Sequence, residues 1–203
     1  MSDRPENVET TTSGASDAMT TGSEGMTDDE GAAGEDTATD ATSEADDEDD
    51  GTIYFEDVEP GTVTQCGSTT VSREEIREFA EEYDPLDIHT DPEAAAESPY
   101  GDVIASGYHT LALSVRLLVD AARGDRAVIA GLGIDDVRWH APVRPGDTLS
   151  VAFEILDTRP SESNPDAGII HEAITVTNQD GETVLTLENN ELVERREPAE
   201  GAE

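Results

Sequence analysis

Residues 107–122 read GYHTLALSVRLLVDAA, and this run constrains the fold more than any other stretch of the chain. Leu111, Val115, Leu118 and Val119 recur at helical spacing, and Ala112, Leu113 and Leu117 fill most of the other faces. A helix that is apolar nearly all round has no polar face to give to water, so it is expected to be buried. It therefore needs a partner that can surround it, and the chain beyond it supplies strands. Val128–Gly133 is a short apolar run, and Ile134–His140 alternates with Val137 and Trp139 on one face. Thr148–Asp157 alternates well, Ile169–Asn178 and Thr183–Arg195 follow, and Asp180-Gly181 between the last two is a tight-turn signal. Residues 159–168 hold Pro160, Ser161, Ser163, Asn164, Pro165 and Gly168, the composition of a long hairpin loop. Strands joined by hairpins predict an antiparallel sheet. One buried helix against it gives the α+β class, a curved antiparallel sheet wrapped around one long central helix.

The segment before that helix carries sharper local signals. Val63–Val71 has the Thr and Val density of a strand. Ser72 with Glu75 has capping-box spacing, and Ile76, Phe79 and Ala80 give the helix Arg73–Tyr83 one apolar face. Pro85 ends that helix and biases Asp84 out of helical geometry. Asp91 as a cap with Pro92 at the first helical position predicts a short helix, Pro92–Glu97.

Charge sets the surroundings. The 203 residues carry 49 acidic against 11 basic side chains, a formal net charge of −38, and every basic residue is arginine. A field this negative argues against nucleic acid or an anionic membrane as partner. The carboxylates run through the periodic segments as well as the tails, which points to a folded protein adapted to molar salt. At about 1 M salt the Debye length is roughly 3 Å, and surface repulsion is screened. The expectation is a halophile's cytoplasmic protein whose fold loosens when salt is removed. A melting temperature equal in dilute buffer and in molar KCl would overturn it.

Residues 1–50 hold 17 acidic residues, one basic residue, Arg4, and no Leu, Ile, Phe, Tyr or Trp. Such a segment cannot bury enough apolar surface to offset its ordering entropy, so it reads as a disordered acidic tail. Residues 197–203 read as a frayed end, which leaves 51–196 as the domain. Cys66 is the only cysteine, so neither an intrachain disulfide nor a CxxC metal site is available. The first residues lack the pattern of a secretory signal, and no apolar run is long enough to cross a bilayer.

The chemistry gathers between Tyr83 and Thr110. Asp84 and His89 stand five positions apart, a loop through Pro99 and Gly101 follows, and Ile104-Ala105-Ser106-Gly107 opens the apolar helix. Taken singly, Asp84 is a solvated helix end, His89 a core histidine and Gly107 a packing glycine. Taken together they are a carboxylate and an imidazole able to share one water, beside a helix start whose N–H can hold an anion. His109 and His140 read as structural, and Tyr108 and Trp139 as packing in the core or at a subunit interface. Asp87 and Asp91 lie close enough to influence His89. No compact cluster of His, Cys and carboxylates suggests a metal.

From about Tyr54 to Arg196 the chain resembles the MaoC-like dehydratases, a branch of the hot-dog fold that includes the (R)-specific enoyl-CoA hydratases. The resemblance rests on Asp84 and His89 in Asp–x4–His spacing, on Ile104-Ala105-Ser106-Gly107-Tyr108-His109-Thr110, and on Pro142-Val143-Arg144-Pro145-Gly146-Asp147-Thr148-Leu149. It implies hydration of a 2-enoyl-CoA thioester or dehydration of a 3-hydroxyacyl-CoA, with no cofactor beyond the thioester. Asp84 would be the principal base on water, His89 would orient the water and relay the proton, and the Gly107 N–H would hold the thioester oxygen. It also implies a homodimer whose sheets join, with the pocket between protomers. Arg116, Arg138 and Arg144 are candidates for the CoA phosphates. The family's amide and proline before the histidine are Leu86 and Asp87 here, and a serine of the central helix is Val115, next to Ser114. A thioesterase on the same fold and a non-catalytic acyl-binding or dimerisation module remain the alternatives.

Overall fold

A computed structural model describes residues 51–196, so what was expected of 1–50 and 197–203 lies outside the described residues. Strand β1 (Val63–Thr70) runs into α1 (Arg73–Tyr83) through Ser72. There the Ser72 hydroxyl accepts the Glu75 N–H while the Glu75 carboxylate accepts the Ser72 N–H, the capping box expected from the spacing. Two short helices follow, α2 (Asp87–Thr90) and α3 (Pro92–Glu97), and then the long helix α4 (Gly107–Ala121). The remaining elements are β2 (Val128–Trp139), β3 (Thr148–Pro160), β4 (Ala167–Thr177) and β5 (Thr183–Glu194).

The strands form one antiparallel five-stranded sheet in the order β1-β3-β4-β5-β2. Alternation sends Leu149, Val151, Phe153 and Ile155 of β3 to the inner face, with Ile170, Ile174 and Val176 of β4 and Leu185, Leu187 and Val193 of β5. Each of these burials contributes about 1.5–3 kcal/mol. Within the sheet, α4 packs chiefly along β1 and less extensively along β3.

Three expectations are corrected. The hairpin loop expected over 159–168 is shorter, because the β3–β4 ladder continues to the pair Pro160 and Gly168. The runs 128–133 and 134–140 form one strand, kept continuous by register shifts along its pairing with β5. Asp136, with φ 48°, sits within one of these bulges, a conformation that aspartate tolerates better than most residues. The central helix is not buried all round within the protomer. His109, Thr110, Ser114 and Leu118 form its buried stripe, while Tyr108 is 61% and Val119 42% exposed. One five-stranded sheet covers one side of a helix, and the opposite side needs another cover.

The inner face also holds a polar band that periodicity alone would have assigned to apolar residues. Glu172 of β4, and Asn189 and Glu191 of β5, occupy core-facing positions and are buried. The turn after α4 brings Arg123 and Arg126 onto them. Both arginines pair with both glutamates, and the Asn189 amide donates to Glu172. Arg126 also lies over the Phe153 ring at 5.7 Å. The N-terminal strap closes over this end through the Ile53 N–H to Asp125 O, 2.7 Å, and the Ala127 N–H to Ile53 O, 2.9 Å. Phe55 of the strap lies so close to Gly168 that a Cβ there would come within 2.2 Å of its ring.

Candidate active site

The site is assembled where α1 ends, α2 turns and α4 begins. Pro85 stops α1 as expected, leaving Asp84 as its C-terminal cap with its N–H still donating to Ala80 O. The single turn α2 was not foreseen, since a turn of four residues is too short to show periodicity. Its cap is Leu86, and Asp87 in its first turn suits the positive end of the helix dipole. Both side chains are exposed, so the two departures from the family pattern in this segment face solvent. Asp91 closes the segment as the cap of α3, accepting the Glu93 and Ala94 N–H groups.

His89 is fixed by α2 and by the extended segment before α4. The Ile104 N–H donates to Ile88 O, and His89 Nδ1 lies 2.8 Å from Ile104 O. A carbonyl only accepts, so Nδ1 carries a proton, and in the neutral tautomer this fixes, the lone pair lies at Nε2. That Nε2 faces Asp84 Oδ2 at 3.5 Å, with the His89 side chain 6% and the Asp84 side chain 21% exposed. Two acceptors at this separation do not bond each other. A water set to one side of the pair, within hydrogen-bond reach of both atoms, would donate one hydrogen to each.

Ser106 joins the pair, a residue to which the sequence reading gave no role. Its hydroxyl donates to Asp84 Oδ2 at 2.6 Å and accepts the Tyr108 N–H as the cap of α4. The signal available was a serine immediately before an apolar helix, the usual mark of an N-cap. Ser114 does not substitute for it, because its hydroxyl donates to Leu111 O within the helix.

Gly107 begins α4, and its N–H has no acceptor within the helix. A Cβ there would lie 2.7 Å from Cε2 and Nε1 of Trp139, and the indole N–H donates to Gly107 O at 2.9 Å. Glycine at this position therefore admits the indole of β2. Gly107 walls a cavity of about 290 Å3 with Tyr100, Thr110, Trp139 and Val143. His89 walls a separate cavity of about 480 Å3 with Arg73, Arg77 and Val103.

The other sequence candidates are placed as follows. Arg116 pairs with Asp120 on α4, Arg138 with Asp136, and Arg144 donates to Tyr100 O. None of these three walls the His89 cavity. Arg73 there holds Asp102 bidentately, and this pairing, helped by the Val103 N–H, lowers the Asp102 carboxyl to about 2. His109 is buried and stacks on Phe79 of α1 at 4.7 Å, and His140 bonds Thr186. Burial lowers the His109 pKa, and Glu75 opposes this weakly. Among the described residues no cluster of three or more His, Cys, Asp or Glu could hold a metal, and no helix is long and apolar enough to cross a membrane.

Comparison with known proteins identifies the family. Residues 57–177 match the family model described as a MaoC like domain. The uncharacterized protein YdeM of Bacillus subtilis is 33% identical over 135 residues, 66% of this chain and 94% of that protein. The 3-hydroxyacyl-thioester dehydratase Z of Mycobacterium tuberculosis is 40% identical over 97 residues, 46% of this chain and 64% of that protein. Among solved structures, the MaoC-like dehydratase of Rhodospirillum rubrum superposes with a TM-score of 0.65 at 35% identity, covering 71% of this chain and 99% of that one. With its five-stranded antiparallel sheet packed on one long helix, the chain belongs to the MaoC-like dehydratase family and has the hot-dog fold.

Proposed function

We propose that the protein is a hydro-lyase that reversibly hydrates a 2-enoyl-CoA thioester, or dehydrates the corresponding 3-hydroxyacyl-CoA. The observation that carries this reading is the pair of acceptors, Asp84 Oδ2 and His89 Nε2, 3.5 Å apart with Nδ1 tied to a carbonyl. A water donating to both has its oxygen lone pairs turned outward, toward C3 of the substrate. As the C3–O bond forms, Asp84 takes one water proton. That proton passes through the Asp84–His89 pair to C2, so the substrate gains one water and the pair is restored. Such acid–base participation is worth about 10²–10⁴-fold in rate. The Gly107 N–H, at the positive end of α4, is the donor for charge building on the thioester oxygen. The similarity to the mycobacterial 3-hydroxyacyl-thioester dehydratase supports a dehydratase of this class.

The active form in this proposal is a homodimer. Ile129, Leu132, Ile134 and Trp139 of β2 are 45–51% exposed, and β2 ends the sheet with one edge unpaired. Tyr108 meets Trp139 edge-on at 6.0 Å and continues the apolar surface onto α4. A second copy joined at β2 would cover both, and in this proposal the substrate pocket lies between protomers. Arg116, Arg138 and Arg144 are the proposed contacts for CoA phosphates.

The test is crotonyl-CoA with the purified protein in molar KCl. Loss of enoyl absorbance without thiol release is the expected result. Thiol release would make it a thioesterase, and no turnover across several acyl chains would make it a binding module. Asp84→Asn and His89→Ala should each cost at least about 10²-fold in hydration, and two fully active variants would remove this site. A monomeric mass by light scattering in the same salt would refute the dimer.

A further inference from the structure

We infer that Ser106 is a positioning residue that aims the Asp84 carboxylate, coupling the start of α4 to the proposed base. This rests on the reading of Asp84 given above. Asp84 ends α1, and no backbone hydrogen bond holds its carboxylate among the described residues. At 21% side-chain exposure it has room to rotate, and a carboxylate that rotates loses its alignment with His89. Ser106 has no such freedom, since it is fully buried. Its carbonyl accepts the Thr110 N–H, and its hydroxyl oxygen accepts the Tyr108 N–H at 3.2 Å. The one hydroxyl proton is thereby directed at Oδ2, and 2.6 Å is the length of a charge-assisted bond. The hydroxyl occupies one lone-pair site of Oδ2 and leaves another facing His89 Nε2. In this way the rigid helix sets the carboxylate orientation that the loop at Pro85 cannot set.

The test separates positioning from capping, because Ser106 does both. Glycine is nearly as good a helix cap as serine and alanine is much worse, while neither has a hydroxyl. Ser106→Gly should therefore melt close to the wild type and Ser106→Ala lower. Both should lose about 10- to 100-fold in kcat for crotonyl-CoA with KM within about twofold. In an Asp84→Asn background, Ser106→Gly should cost nothing further, since its effect passes through the carboxylate. A crystal structure of Ser106→Gly should show Asp84 turned away from His89. Wild-type kcat in Ser106→Gly would overturn the proposal. So would an undiminished loss in the Asp84→Asn background. If Asp84→Asn itself stays fully active, the dyad reading has failed. The crystal structure then decides alone: an unmoved Asp84 overturns positioning by Ser106, and a rotated one supports it.

Discussion

At the N-terminal end of α4 one carboxylate, Asp84, meets a hydroxyl and an imidazole; just past its C-terminal end two carboxylates, Glu172 and Glu191, meet two arginines. Both regions place charge against the same helix. They differ in what remains unspent. The Glu172 side chain is 0% and the Glu191 side chain 4% exposed, and their oxygens are committed to Arg123 and Arg126. Burying them unpaired would cost several kcal/mol each, so the pairing is a condition of folding. Asp84 retains partial exposure, one strong hydrogen bond and a neighbour that also accepts. That is the condition of a group that can take a proton. Acid residues are abundant throughout this chain, and only their partners and access distinguish a carboxylate committed to the core from one left open, as Asp84 is.

The largest expected effects lie on activity. Asp84→Asn should lose at least 10²-fold in hydration while its melting temperature in molar KCl stays within a few degrees of wild type. Glu172→Ala should do the reverse, losing about 3–5 kcal/mol in denaturant titration because Arg123 and Arg126 are left buried with one partner fewer. Equal stability losses at both sites would erase the distinction. Gly107→Ala is expected to be intermediate. Its Cβ would press on the Trp139 ring at 2.7 Å, costing about 1–3 kcal/mol. Trp139 is the single tryptophan, so its displacement would read directly as a fluorescence shift.

The smallest effect concerns His109, whose imidazole is held by burial below its ordinary 6.5. Between that lowered value and 6.5 the unfolded chain binds more protons than the folded one. The neutral ring's contribution is therefore fully present above 6.5 and is lost as pH falls toward the folded value. His109→Phe keeps the stack on Phe79 and should flatten this part of the stability profile. An unchanged slope would assign the acid sensitivity to other groups.

Legibility in the sequence followed the range of the interactions. The Ser72 capping box, the Asp91 cap, the stop at Pro85 and the turn at Asp180-Gly181 all act over a few residues, and each appears where the spacing placed it. The meeting of Asp84 and His89 was also readable, since five positions across a helix end and one turn bring the side chains together. Resemblance to a known family added the fold. The open side of α4 was not readable, because periodicity reports that a face is apolar and not what covers it.

What the sequence by itself determined is most of the elements, their class and the nearness of Asp84 to His89, because caps, turns and periods are local properties of the backbone. The tertiary structure alone decided the contacts made around those residues. Ser106 reaches Asp84 across 22 positions, the Trp139 indole reaches Gly107 across 32, and Arg123 reaches Glu172 across 49. No local spacing encodes these pairs. They follow from laying α4 across the sheet, which brings β2 against the start of the helix and the β4 and β5 carboxylates against the turn that follows it.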